Sequence, residues 1–497
     1  MQKFISLSLL TSTIILSANN KTQDLFVQKI VLKGNMNLEY KVLPKDVNSF
    51  YEMFSQGITY GRLRMNTFKW DWKKENLDKK MKSHYALGLG GSLIFKTGRL
   101  NGISATLGFY TSQNPFLKMD GENVKYLKAG KDTLSRNDAQ NNDYGMSVIG
   151  QSYLQYDASK TRFKFGRQLF HSVFTKSNDT KMIPNSFDGF SLESKFVSKT
   201  NIKLAYFQAQ KLRDHTKSHD VITVQDSDLN PWGNNDDSAK HSGLTFSNFQ
   251  DARKSTNHNL MIGTVENKSV KNLKAVVSYL AVPDVISNLT FEAHYKIKTN
   301  NWVISPGFRY MIQNDDGGGK IGGASLQGKL AHWESGQETR GYKNPKSLDS
   351  SLLAGRVVMK NRTTKILYGY SQIEDKADIV APWRGFPTGG YTRAMGQYNW
   401  VANTKTNMIQ ASYDFSKAGI IDGFRTTIRY AMMDFDEKKV DALADRNIIH
   451  IDFWKTFKSV PNFETKVRIA IVDSDDDNGK KLDKSYNEYR LEFNYLF

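Results

Sequence analysis

A chain of 497 residues that is 39% hydrophobic and 12% aromatic is long enough for two or three soluble domains or for one large barrel. The absence of cysteine excludes thiolate metal sites, thiol nucleophiles and disulfides. A formal charge of +19 argues poorly for nucleic acid, because the Lys and Arg are dispersed along strand-like segments and form no patch; in a pore the same cations would draw in anions.

The first eighteen residues read as an export signal. Met1-Gln2-Lys3 is a short basic start, Phe4 to Leu16 an apolar run, and Leu16-Ser17-Ala18 a small-residue exit, with cleavage expected near Ala18. The run is shorter than the ~20 residues a spanning helix requires. Residues 19–55 mix polar and apolar character and read as a periplasmic N-terminal arm, either plugging a barrel foot or trailing as a tail. No later segment is continuously apolar, so a mature chain that crosses a membrane must do so as a closed barrel, in which every backbone group is satisfied.

Residues 56–497 carry the alternation of a single barrel domain. Strands are predicted over 56–70, 85–96, 102–110, 146–156, 161–168, 187–196, 202–208, 259–266 and 273–280. The series continues over 289–297, 303–313, 352–359, 365–372, 408–415, 424–434, 448–456, 465–472 and 485–497. The predicted fold is all-β: a transmembrane antiparallel β-barrel of about 18 strands. Connection lengths support it independently. Short joins (97–101, 157–160, 197–200, 299–301, 360–362, 419–423, 459–462) fall between polar stretches such as 111–143, 169–186, 211–257, 314–350 and 376–405. Outer-membrane barrels segregate short periplasmic turns and long extracellular loops onto opposite rims, which a soluble sandwich has no reason to do.

The final segment shows the two faces most clearly. Tyr489, Leu491, Phe493, Tyr495 and Phe497 alternate with Glu488, Arg490, Glu492 and Asn494, giving one greasy and one charged face. The strand ending at Phe497 is where barrel-assembly machinery is expected to engage. Extending the alternation places Arg62, Arg64, Arg162, Lys164, Arg309, Arg356, Arg425, Arg429, Lys466, Arg468 and Arg490 on the inner face, with fewer acids, among them Glu193, Glu292, Asp414, Asp452, Glu488 and Glu492. Unpaired guanidinium groups along a narrow path favour carboxylates or phosphates by charge and bidentate geometry.

Other motifs carry less. Asp473 to Gly479 lacks the closing Glu and the flanking helices of a calcium loop. Asp226, Asp228, Asp236 and Asp237 could hold divalent cations near lipopolysaccharide, against a plain solubilising role. The histidines are read as forming no metal site, no nucleophile elbow is present, and no cofactor is required.

Several stretches resemble a known family: Gly90-Gly91-Ser92-Leu93, Phe109-Tyr110-Thr111-Ser112, Lys164-Phe165-Gly166-Arg167-Gln168, and two loop motifs over 177–185 and 384–393. They look like the outer-membrane porins of the porin D type, in particular the branch found in epsilon-type proteobacteria. The resemblance implies an eighteen-stranded barrel, a monomer or loose homotrimer, whose third and seventh outer loops fold inward as a constriction. Asn178, Asp179 and Pro184 would lie in the third, at 169–186, and Arg384 and Arg393 in the seventh, at 376–405. In that family a ladder of arginines guides small carboxylate-bearing solutes. Simple alternation from Phe163 and Phe165 aims Arg167 at lipid, so either it lies at the outer rim or Gly166 marks a bulge that turns it inward; the resemblance, which puts this segment beside the inward loop, favours the bulge.

The expected function is therefore a passive or weakly selective diffusion channel for small hydrophilic, anionic or carboxylate-bearing solutes, not an enzyme. Its surroundings would be outer-membrane lipid and lipopolysaccharide, without nucleic acid. Two other readings stand beside it: a barrel acting mainly as surface adhesin or antigen, and a barrel enzyme with a site on one rim.

Overall fold

The computed structural model describes residues 30–32, 38–40, 44–120, 122–127, 143–179, 181–213, 215–223, 240–395, 398–475 and 481–497. The export signal over 1–18, the acidic cluster 226–237 and the stretch 476–479 lie outside them.

Eighteen long strands close into one antiparallel barrel. They are β1 (Ile58–Trp72), β2 (His84–Lys96), β3 (Ile103–Gln113), β4 (Gly145–Ala158), β5 (Thr161–Gln168), β6 (Ser186–Ser194), β7 (Thr200–Lys211), β8 (Leu260–Asn267) and β9 (Leu273–Val282). The second half comprises β10 (Ile286–Tyr295), β11 (Val303–Asp315), β12 (Ser350–Lys360), β13 (Thr364–Ile373), β14 (Lys405–Asp414), β15 (Phe424–Asp434), β16 (Arg446–Thr456), β17 (Phe463–Ser474) and β18 (Tyr486–Leu496). Each predicted strand has its counterpart, because a wall with lipid on one side and a polar lumen on the other enforces a strict period of two.

Closure pairs β18 along its full length with β1, from Tyr486 opposite Trp72 to Leu496 opposite Arg62. Gly61 and Phe497 then exchange backbone hydrogen bonds of 2.9 and 3.2 Å. A side chain at 61 would strike the Phe497 ring at 2.6 Å and the Ser92 carbonyl at 2.2 Å, so the seam requires glycine there.

The outer face carries chains of aromatic rings toward the short-turn rim. Tyr156, Phe163 and Phe190 follow one another at 6.3 and 6.2 Å, and Tyr413, Phe415, Phe424 and Phe453 at 4.8, 5.3 and 6.1 Å. Rings at this height suit a membrane interface. The described end of the N-terminal segment docks at the same rim. Asp46–Val47 pairs in parallel with Arg99–Leu100 in the first short turn. A six-residue helix, α1 (Phe50–Ser55), follows, capped by Ser49 accepting from the Glu52 N–H, while Glu52 Oε2 accepts from the Asn48 N–H.

At the other rim the long loops pack over the barrel. L3 (169–185), L4 (212–259), L6 (316–349) and L7 (374–404) share a core in which Phe174, Val221, Leu244, Ile321, Ile379, Trp383 and Trp400 are buried. The fifth connection on this side is only the turn 283–285, so the segregation of lengths is one-sided: every long connection is here, but not every connection here is long.

The bulge expected at Gly166 is absent. The β4–β5 and β5–β6 ladders run through Gly166 without a slip, opposite Tyr153 and Gly189. The register shifts lie elsewhere, between Gly108 and Phe109 where β4 has an extra residue, and between Asp188 and Gly189 where β7 has one. Arg167 therefore stays on the face of Phe165, which is 67% exposed. There it forms a two-pronged pair with Asp188 at 2.7 and 2.9 Å, donates to the Ile149 carbonyl at 3.0 Å and donates to Ser218 of L4 at 2.7 Å. A cation tolerates this outward position because a carboxylate and the chain of L4 meet it at the rim.

Candidate functional site

Alternation brings Arg62 and Arg64 to the inner face of β1, and L3 is anchored on them. Asp179 accepts from Arg62 Nη2 at 2.7 Å and from Arg64 Nη1 at 2.9 Å, while Arg64 also pairs with Glu492 of β18. The three are almost fully buried. Lys181 extends the anchor by lying over the Phe68 ring at 4.9 Å. At its base, Lys211 is buried with its ammonium donating to the carbonyls of Pro184 and Leu212.

L3 in turn carries L7. Thr175 bridges Arg384, the Gly385 N–H donates to the Phe174 carbonyl at 2.8 Å, and the Lys176 N–H donates to the Trp383 carbonyl at 3.2 Å. A Cβ on Gly385 would fall 2.0 Å from the Phe174 backbone, which makes glycine the residue that lets the two loops touch. From the wall, Arg309 of β11 donates to the Pro387 carbonyl and Arg356 of β12 to the Gly390 carbonyl at 2.5 Å. Both guanidinium groups face the Tyr391 ring at 4.9 Å, so the ring is gripped by two cations.

Beside the joined loops lies a cavity of ≈ 830 Å³. Twelve Lys and Arg line it against two acids, Glu266 and Glu292, and cations stay in excess when Glu193, Asp452 and Glu488, which pair with them from outside the lining, are counted as well. One wall, from β15 to β18, presents Arg429, Arg468 and Arg490. Asp452 accepts from Arg429 at 2.9 Å and from Arg468 at 2.7 Å and lies 3.1 Å from His450 Nε2, so one carboxylate serves several donors. Arg490 pairs with Glu488 at 2.6 Å. Opposite, Lys203 and Lys274 reach Glu193 at 3.8 Å and Glu266 at 2.7 Å. Lys365 and Arg393 have no acidic partner among the described residues; Arg393 lies over the Phe386 ring at 3.6 Å instead. Burial, with the fields of Arg384, Arg468 and Arg490, brings the Arg393 guanidinium down to about 10, still charged at neutral pH. Leu367, Met408, Met395, Phe386 and Tyr398 supply an apolar strip in the same cavity.

Of the residues expected in the lumen, Arg309, Arg356, Arg429, Arg468, Arg490, Asn178, Arg384 and Arg393 line this space. The others do not. Arg62, Arg64 and Asp179 are covered by their own contact, and Pro184 offers only a carbonyl to Lys211. Arg162 pairs with Asp157 at 2.7 Å near the short-turn rim, and Lys164 sits over Tyr153 at 4.6 Å. Arg425 and Lys466 flank the Trp454 ring at 5.1 and 4.5 Å. Arg167 is outside altogether. Missing from the expected set were Lys203, Lys274 and Lys365, although each shares the inner face by alternation, and Lys176 and Arg213, whose loop positions follow no period. His215 and His219, four residues apart in L4, bring their rings to 4.9 Å edge-on. No group of three His, Asp or Glu that could hold a metal occurs among the described residues.

Comparison with known proteins agrees with this fold. Solved structures with the same fold include Pseudomonas aeruginosa OpdK with vanillate (TM-score 0.66, 14% identity, covering 90% of this chain and 99% of that one). Pseudomonas aeruginosa OccK9 (OpdG) gives 0.67 at 15% identity, covering 90% and 99%, and Acinetobacter baumannii OccAB1 gives 0.68 at 13%, covering 90% and 97%. At such identities the likeness shows the fold alone. No curated protein matches the chain. A family described as outer membrane porin, OprD family, matches residues 116–497. The chain belongs to the OprD family of outer-membrane porins.

Proposed function

We propose that this Gram-negative outer-membrane porin is a weakly selective channel for small anions that bear a carboxylate on an apolar or aromatic body. The observation that carries the reading is the cavity: twelve cations against two acids, with an apolar strip alongside. Cations replace water around the carboxylate, and the strip receives the rest of the solute. Glu266 and Glu292, already paired with lysine and arginine, keep each cation from binding too tightly for release. That a structural neighbour was solved with vanillate, an aromatic carboxylate, supports the same class. The loop motifs over 177–185 and 384–393 support placement in the epsilon-proteobacterial branch. Export by a signal over 1–18, engagement of assembly machinery through Phe497, and a monomeric or loosely trimeric state complete the proposal.

The test is current block in a planar bilayer. Benzoate added to one side should interrupt single-channel current, while benzamide, of the same shape without the charge, should not. Equal block by both would reject the carboxylate requirement.

A further inference from the structure

The periplasmic rim carries chemistry that the permeation path does not use. The turns after β4, β6, β8 and β10 are stitched into one arc by backbone hydrogen bonds: Lys195 N–H to Lys160 O (2.9 Å), Lys268 N–H to Lys199 O (2.9 Å) and Lys296 N–H to Asn272 O (3.0 Å). Along this arc exposed lysines bracket exposed apolar residues. Lys195 and Lys199 flank Phe196 and Val197, Lys268 and Lys271 flank Val270, and Lys296 and Lys298 flank Ile297. Phe196 is 77% and Val270 58% exposed, so neither tip is packed under the barrel.

At the turns themselves the charge of the arc has a single sign, and of its lysines Lys268 is paired with Glu266 at the end of β8. The turns 158–160, 195–199, 268–272 and 296–302 contain no Asp or Glu. The outer rim differs: the loop 435–445 mixes Asp436, Glu437, Asp441 and Asp445 with Lys438 and Lys439. The arc is also continuous with the lipid-facing wall, since Tyr156, Phe163 and Phe190 stack on the outer face at the same end and Tyr295 and Ile297 are exposed there.

We propose that this arc docks on anionic glycerophospholipid headgroups of the inner leaflet. The lysine ammonium groups take the phosphates, with their stems along the acyl boundary, and Phe196, Val197 and Val270 settle at the glycerol level. A basic ring serving only the mouth of the pore would not require apolar tips. A periplasmic glycan or acidic protein would not be continuous with the lipid-facing aromatics.

The experiment uses the full-length protein in nanodiscs of phosphatidylcholine mixed with phosphatidylglycerol, with retained lipid counted by native mass spectrometry. Phosphatidylglycerol should be enriched over phosphatidylcholine on the wild type. The triple variant Lys195→Gln, Lys199→Gln, Lys271→Gln should lose that enrichment by roughly fivefold per lysine, the factor expected of one cation near an anionic surface. Phe196→Ser should lower retention of both lipids. Single-channel conductance in a neutral bilayer, unchanged in both variants, shows that they fold. Equal retention of the two lipids by the wild type overturns the proposal. So does enrichment that survives in the triple variant, or a triple variant that keeps its lipid but loses capture by peptidoglycan sacculi.

Discussion

The two inward loops reach the same place by different chemistry. L3 sets one carboxylate, Asp179, between two wall guanidinium groups of β1, whereas L7 offers Arg309 and Arg356 only backbone carbonyls and the Tyr391 ring. The first contact is between buried charges, so each partner depends on the other. The second is neutral on the loop side, and Arg309 keeps Glu292 at 2.6 Å whatever L7 does. The wall arginines that meet the inward loops are therefore of two kinds: the pair under L3 is structural, and the pair under L7 both grips the loop and faces the cavity.

Breaking the L3 contact should have the largest effect. Asp179→Ala takes from two buried guanidinium groups the carboxylate they share, at a cost of about 3–5 kcal/mol. The temperature at which the barrel loses its fast migration on unboiled gels should fall, and conductance should rise as L3 leaves the lumen. A variant with wild-type values for both would show that the loop is held by its apolar contacts alone.

A pH effect of similar size is expected where L6 and L7 meet. Burial pushes the Asp378 carboxyl up to about 6 from its usual 3.8, against the pull of the Ala402 and Leu326 N–H groups and the Tyr342 hydroxyl. The folded loops thus hold a proton that the unfolded chain releases earlier. The contribution of Asp378 to their stability is fully present below about pH 4 and is lost as pH rises through about 6, by ~3 kcal/mol. Limited proteolysis of the loops across this window should show the decline in the wild type and not in Asp378→Asn.

Weakening the L7 grip should matter less. Tyr391→Leu keeps apolar bulk at a buried position but removes a ring held between two cations, worth about 1–2 kcal/mol, and should increase current noise with little change in the thermal transition. Quiet single-channel traces would mean that the carbonyl contacts of Pro387 and Gly390 suffice. Smaller still in stability, but direct in selectivity, is Lys365→Gln, which should lower anion preference while leaving the heat-dependent gel shift intact. The smallest effect is expected at Arg167. Its pair with Asp188 is partly solvated and worth about 0–1 kcal/mol, so Arg167→Ala should leave reversal potential unchanged.

The strands and their faces were legible because lipid outside and polar lumen inside impose one period on the entire wall. Phe424–Asp434 and Thr161–Gln168 have the predicted bounds, and Glu488, Arg490, Glu492 and Asn494 point inward as their alternation requires. Alternation gives a face but not a depth or a cover. It could not say that Arg62, some 117 positions from Asp179, would be sealed beneath L3 while Arg468, on an equivalent inner face, stays at the cavity. Nor could it rank Gly166 against Gly150 as the site of a bulge: the positive φ of Gly166 is accommodated within an unbroken ladder, and the extra residue is Gly150. Lys203, Lys274 and Lys365 obey the same rule, since alternation alone puts each on the inner face.

The most direct measurement is the reversal potential of single channels of the purified porin in a neutral bilayer under a potassium chloride gradient. A lumen with twelve cations to two acids at its cavity predicts a potential of the sign set by chloride, reduced in Lys365→Gln. A potential of the sign set by potassium would contradict the account.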